Sequence, residues 1–270
     1  MPLDHGTLVH RYARHTRLGR HQVLDARSLA WVHTHTGGTL KPAAHTPRIP
    51  VLDQEDLFAQ GIRVSGVVAG GEDVDALGSC TGNAGAAAVS VLLTDAEAKT
   101  AGLDVSSAKR AEEWAIGLYA QASALDNADG VFPPDDSGSS GLGIAKALKR
   151  RGLVGHYQHA TTAAALASLL QTGPVLLGVP WFKAWFEPDR HGFVDHGDWA
   201  ASPVAGGHEI CVIALEQVVQ DHAGHIEAES TVIRFRNSWS SSWGDHGDGL
   251  MTLATYQQLR RYIDALQLRA

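Results

Sequence analysis

The rhythm of apolar and polar positions changes twice along this chain. The first 46 residues are polar and show little clean periodicity. From there to Gly152 the pattern is helical. The Ala-rich run at residues 84–90 follows Leu77-Gly78-Ser79-Cys80-Thr81 and predicts a central helix over 80–93. Residues 106–125 predict a second helix, with Trp114, Ile116, Leu118 and Tyr119 as apolar members. Residues 142–151 predict an amphipathic third behind Ser137-Gly138-Ser139-Ser140-Gly141. A short strand is expected at 47–54. An exposed loop with Gly66 and Gly70-Gly71 is expected at about 55–75, and a Gly/Pro/Asp-rich loop at 126–140. After Gly152 the pattern turns to strands, at 153–157 and 175–179 around an Ala-rich helix at 160–171. The apolar, β-branched run through Ile210-Cys211-Val212-Ile213-Ala214-Leu215 reads as a buried strand, and Val232-Ile233-Arg234-Phe235-Arg236 as an alternating one. A last strand is expected at 250–253. The chain thus divides into an N-terminal arm (1–46), a helical part (47–152) and a β-rich part (153–270).

At 270 residues the chain is long enough to bury a sizeable core. Its 22 basic and 29 acidic residues give a net charge of −7, which offers no electrostatic case for nucleic acid. The basic cluster of the arm (Arg11, Arg14, Arg17 and Arg20 with His5, His10, His15 and His21) is expected to be solvated. Two cysteines make no disulfide framework, and Cys211, inside the apolar run, reads as a small buried hydrophobe. The start lacks a charged n-region followed by an apolar h-region, and no apolar run approaches 18 residues. A cytoplasmic protein without membrane insertion is expected. Histidine pairs such as His33/His35, His191/His196 and His222/His225 come with neither HExxH nor paired CxxC motifs, so no metal site is expected.

The chemistry concentrates in three places. Cys80 stands at the expected first turn of a helix, where unpaired amides and the helix dipole favour a thiolate. His208 follows two glycines at the head of the buried strand. Asn237 ends the alternating strand in Asn237-Ser238-Trp239. In the order Cys…His…Asn these supply a nucleophile, a base and a group that orients the base.

With those residues the chain resembles the papain-like cysteine peptidases, whose histidine and asparagine lie about 130–150 residues past the nucleophile. Here His208 follows Cys80 by 128 positions and Asn237 by 157, the polar stretch 217–230 reading as a lengthened hairpin between them. Asn237-Ser238-Trp239 continuing to Ser242-Trp243-Gly244 is the most specific part of the match. The resemblance runs from about residue 47 to 253 and is nearest the disulfide-free bacterial and phage members. It implies an α+β fold, with a helical left half, a β-barrel-like right half, and a cleft between them carrying Cys80 on one lip and His208 on the other. It implies a cysteine endopeptidase acting on protein or peptide substrates through a thioester acyl-enzyme, with no cofactor. Trp239 would shield the His208–Asn237 hydrogen bond, and Ser140 and Gly141 would pair with an extended substrate.

Two departures matter. The oxyanion-hole glutamine usually stands six residues before the cysteine, where this chain has Val74. Pro50-Val51-Leu52-Asp53-Gln54 resembles the segment that leads into the cysteine loop, so Gln54 is the expected donor, displaced by an insertion at about 55–75. Gln60 is a second candidate. Thr81 replaces the usual aromatic after the nucleophile. These departures leave open a catalytically silent papain fold that binds a partner, and a transamidase would use the same triad. Family zymogens carry a helical inhibitory prosegment, and 1–46 shows no such pattern.

Overall fold

The computed structural model describes residues 7–10, 18–67, 72–126 and 130–269. A short N-terminal hairpin pairs β1 (Thr7–His10) with β2 (Gln22–Asp25). Two two-residue strands follow, β3 (Val32–His33) and β4 (Ala43–Ala44). The helices of the first half are α1 (Cys80–Leu92), α2 (Asp95–Thr100), α3 (Ala108–Leu125) and α4 (Gly141–Arg150). The second half contains β5 (His156–Ala160), α5 (Ala163–Leu169), β6 (Val175–Phe182), β7 (Val204–Gln217), β8 (Val232–Arg236), β9 (Asp248–Thr252), α6 (Leu253–Leu259) and β10 (Asp264–Arg269).

Helix α1 is buried without interruption from Cys80 to Ser90. Its small residues are the reason it fits. A Cβ on Gly82 would overlap the Ala115 carbonyl, and one on Gly85 would come within 2.7 Å of Ile144 and 2.9 Å of Leu118. Glycine and alanine therefore let α3 and α4 close on α1 at a distance that larger side chains would prevent. Helices α3, α4 and α5 start on serine or threonine caps: Ser107, Ser140 and Thr162 each accept the amide three residues on. Helix α2 opens with a capping box in which Thr94 and Glu97 each accept the other's backbone N–H.

The main sheet runs β3-β5-β10-β6-β7-β8-β9, with β4 joined to β7. All its pairings are antiparallel except β3 with β5. The described sheet is open, ending on β3 and β9, and does not close into the barrel-like half the resemblance implied. Alternation along β7 decides its two faces. Ile210, Val212 and Leu215 join a core with α5, α6 and a cluster of tryptophans. Cys211 and Ile213 join the core shared with α1, α3 and α4. His208 and Glu209 consequently face opposite sides of the sheet. Among the described residues no helix is long and apolar enough to cross a membrane.

Several expectations are corrected. Residues 47–54 form no strand beyond a bridge of Asp53 to Trp239. The strand expected at 153–157 lies at His156–Ala160. The stretch at 55–75 is more than an exposed loop: Leu57, Ile62 and Val67 form a small core of their own with Leu77, Tyr119 and Phe132. Its Gly70 and Gly71 lie outside the described residues. The chain leaves and re-enters at one point, because Leu77 N–H donates to the Gln54 carbonyl at 3.1 Å. The N-terminal arm is tied down too, by β3 on β5 and β4 on β7, and Arg20 of its basic cluster is buried. Arg11, Arg14 and Arg17 lie outside the described residues.

Candidate active site

Cys80 opens α1 and is completely buried. Burial pushes its thiol up to about 12; backbone groups of Glu209, Gly19 and Thr81 hydrogen-bond toward it and pull in the opposite direction. Glu209 is the residue after His208, so the backbone beside His208 reaches Cys80 although 128 positions separate the two side chains.

His208 is fixed on several sides. Its Nε2 lies 2.8 Å from Asn237 Oδ1, which also accepts the Ser238 N–H at 2.8 Å. An oxygen that accepts both bonds requires the proton on Nε2. Burial pulls the imidazole down to about 4, partly opposed by the Asn237 bond, so the ring is neutral and Nδ1 carries a lone pair. That nitrogen is buried and has no hydrogen-bond partner among the described residues. Trp239 stacks on the ring, with centroids 4.7 Å apart and planes at 28°. Trp181 meets it edge-on at 4.8 Å and 77°. The tryptophans exclude water from the His208–Asn237 bond, which strengthens it. No local sequence pattern marks the contact of Trp181 with the imidazole.

Gln54 is fully buried beside the cysteine loop. Its Nε2 donates to the Leu77 carbonyl at 2.8 Å, and its Oε1 accepts the Ser238 hydroxyl at 2.6 Å. Gln60 instead donates to the Asp53 carbonyl at 2.7 Å, from the insertion. Glu112 braces this corner and went unnoticed in the sequence. From inside α3 its carboxyl accepts Asn83 Nδ2 at 2.7 Å and the Asp53 amide at 3.0 Å, holding α1 and the Gln54 segment together.

Residues 19–21 of the arm cross between the cysteine loop, Ser139 and Gly207. The Ser139 amide donates to the Gly19 carbonyl at 2.8 Å, and the His21 amide to the Ser139 carbonyl at 2.8 Å. The Arg20 amide donates to the carbonyl of Gly207, the residue before His208, at 2.9 Å. Gly19 packs so closely that a Cβ there would overlap the Gly78 backbone, so only glycine fits at this crossing. The backbone that pairs with the arm here is Ser139. Ser140 is engaged by Asp126, which accepts its amide and its hydroxyl, both at 2.7 Å. Gly141 lies beneath Glu209 and Asp264. The arm supplies a covering segment without the helical pattern expected of a prosegment.

Among the described residues no cluster of three or more His, Cys, Asp or Glu could hold a metal ion, and both cysteines are free. The buried titratable groups predict a pH optimum of stability. His208 and His159, both lowered to about 4 by burial, protonate more readily when unfolded. Stability is therefore lost as pH falls from about 6.5 through 4. Glu112, raised by burial to about 7, stays largely protonated in the fold, so its contribution is lost as pH rises from about 4.5 through that value. Above pH 6.5 the Glu112 effect remains, joined toward pH 8.5 by Cys80 and Cys211, whose thiols burial raises to about 12. The thermal midpoint is expected to fall by about 3 °C between pH 6.5 and 8.5, measured by calorimetry. A flat or rising midpoint over that interval would contradict the assignment.

No protein-family model matches the sequence, and no curated protein matches it. Solved structures do. Xylellain, a cysteine protease from Xylella fastidiosa, matches with a TM-score of 0.58 at 16% identity, covering 96% of this chain and 98% of its own. Digestive procathepsin L 3 of Tenebrio molitor larval midgut matches with a TM-score of 0.58 at 14% identity, covering 94% of this chain and 77% of its own. An α+β arrangement with these structural neighbours, built around a buried cysteine and a tryptophan-clad histidine, is the fold of the papain-like cysteine proteases.

Proposed function

We propose that the chain is a cysteine endopeptidase whose nucleophile, base and orienting group are Cys80, His208 and Asn237. The observation that carries this reading is the His208–Asn237 hydrogen bond, which leaves a buried lone-pair nitrogen on the residue next to Glu209, whose backbone hydrogen-bonds toward Cys80. His208 Nδ1 takes the Cys80 proton, and the imidazolium that forms is held by Asn237 and covered by Trp239. The thiolate sulfur bonds to a peptide carbonyl carbon. The resulting oxyanion is met by the Cys80 backbone N–H and by Gln54 Nε2, once that amide turns from the Leu77 carbonyl. The C–N bond then breaks, and His208 returns its proton to the leaving amine. Water, deprotonated by His208, hydrolyses the thioester and regenerates the thiol.

In the form described, residues 18–21 cover the nucleophile, and both members of the ion pair are held neutral by burial. The active form therefore requires the arm to move. Incubation of the full chain and of Cys80→Ala with a denatured protein, reading new N-termini by mass spectrometry, is expected to give cleavage that depends on Cys80. A competing amine such as glycinamide, captured in place of water, would identify a transamidase. Absence of Cys80-dependent products from both the full chain and an arm-displaced variant would select the catalytically silent binding fold.

A further inference from the structure

The Arg20 side chain is completely buried, in a chamber made on the helix-facing side of the sheet. Glu209 on β7, Gly178 on β6 and Asp264 on β10 stand in register as one cross-strand row. The Arg20 Nη2 group pairs with Asp264, Nη1 donates to the Tyr262 carbonyl at 3.1 Å, and Nε lies 3.9 Å from Glu209 Oε2. Both Glu209 carboxylate oxygens are buried and accept no hydrogen bond among the described residues. Glycines make the room. A Cβ on Gly178 would strike the guanidinium, and one on Gly141 would reach within 2.6 Å of Glu209 Oε1. Two buried carboxyl groups with so few donors of their own are costly unless a cation enters. A planar guanidinium with several N–H donors suits such a site.

The position of this chamber gives it a role. Glycine 19 crosses the nucleophile, and the next residue drops its side chain into the chamber while its amide pairs beside His208. A peptide that pairs with Ser139 and Gly207 after the arm leaves would place one of its own side chains there. We infer that Glu209 and Asp264 form a specificity pocket that selects an arginine side chain of the substrate, and that Arg20 occupies this pocket while the arm covers Cys80. The inference rests on the peptidase reading for its substrate and on the ion-pair geometry for its pocket.

The test uses the full chain carrying Arg20→Ala, which vacates the pocket. Blocked alanine tetrapeptide amides, with one arginine walked along the sequence, are compared with a matched norleucine set. Arginine at one position is expected to raise kcat/KM at least tenfold over norleucine. Adding Glu209→Gln and Asp264→Asn should bring that ratio to about threefold or less; a general loss of turnover cancels in the ratio. No arginine preference, or a preference that survives both neutralisations, would overturn the inference. Should nothing be cleaved, the thermal midpoint of Arg20→Ala is followed with N-acetyl-arginine amide and N-acetyl-norleucine amide. A rise with the arginine compound alone supports the pocket and counts against the peptidase reading, while equal responses reject the pocket. If Arg20→Ala does not fold, Gly19→Leu displaces the segment sterically with Arg20 intact, and the same readouts apply.

Discussion

Replacing His208 by alanine in an arm-displaced chain is expected to lower kcat for peptide hydrolysis by about 10⁴-fold or more, with KM little changed. The imidazole performs three tasks that no neighbour can assume. It removes the thiol proton, offers the thiolate a counter-charge, and protonates the leaving amine. The walls around it make replacement difficult, since Trp239 and Trp181 pack on the ring. The same variant should lose rapid alkylation of Cys80 at pH 5–6, because the thiolate then depends on the helix terminus alone. His208→Ala with unchanged hydrolysis would assign the activity to another group.

Gly19→Leu should raise the rate of Cys80 alkylation at pH 7 by at least about 10²-fold. The side chain cannot be accommodated against Gly78, so residues 18–21 must lift away and expose the sulfur. A fall of the thiol from about 12 only as far as an ordinary value of about 8.5, before any pairing with His208, multiplies the thiolate population by about three powers of ten. The lower-pKa thiolate is less nucleophilic, which removes roughly half of that gain on a logarithmic scale. Cys211 is the internal control. It is buried within β7, its thiol is also raised to about 12, and its labelling should stay unchanged. Mass spectrometry of iodoacetamide adducts reads both sites at once. Equal labelling of Cys80 in parent and variant would mean that something other than the arm buries it.

Local signals carried the long elements. The small-residue run predicted α1 because burial on every side demands small side chains where α3 and α4 approach. The β-branched run predicted β7 because both of its faces are covered. The signal failed where polar residues are buried by distant partners. Strand β10 was missed because Asp264 and Gln267 interrupt its apolar pattern. Gln267 is nevertheless satisfied, donating to Leu169 at 2.7 Å and to Gly173 at 2.8 Å. Helix α2 was legible in principle through Thr94 and Glu97, yet six residues give a weak period.

The candidate site divides in the same way. Cys80, His208, Asn237 and Trp239 were legible from residue type, order and the Asn-Ser-Trp motif, since a nucleophile, a base and an orienter are chemically distinctive. The closure of the Gln54 segment on Leu77, the edge-on packing of Trp181, and the support from Glu112 depend on contacts between remote segments. So does the largest surprise. Residues 18–21 read as part of a solvated basic arm, because charge and low periodicity are what solvated arms show. Only the tertiary structure brings Glu209, Asp264 and Ser139 to them, across separations of 189, 244 and 119 positions from Arg20. Sequence by itself determined the helical and β-rich halves and the chemistry available to the site, because both follow from local pattern and side-chain type. The open sheet, the buried neutral state of Cys80 and His208, and the occupant of their cleft were decided by long-range packing, which no local pattern encodes.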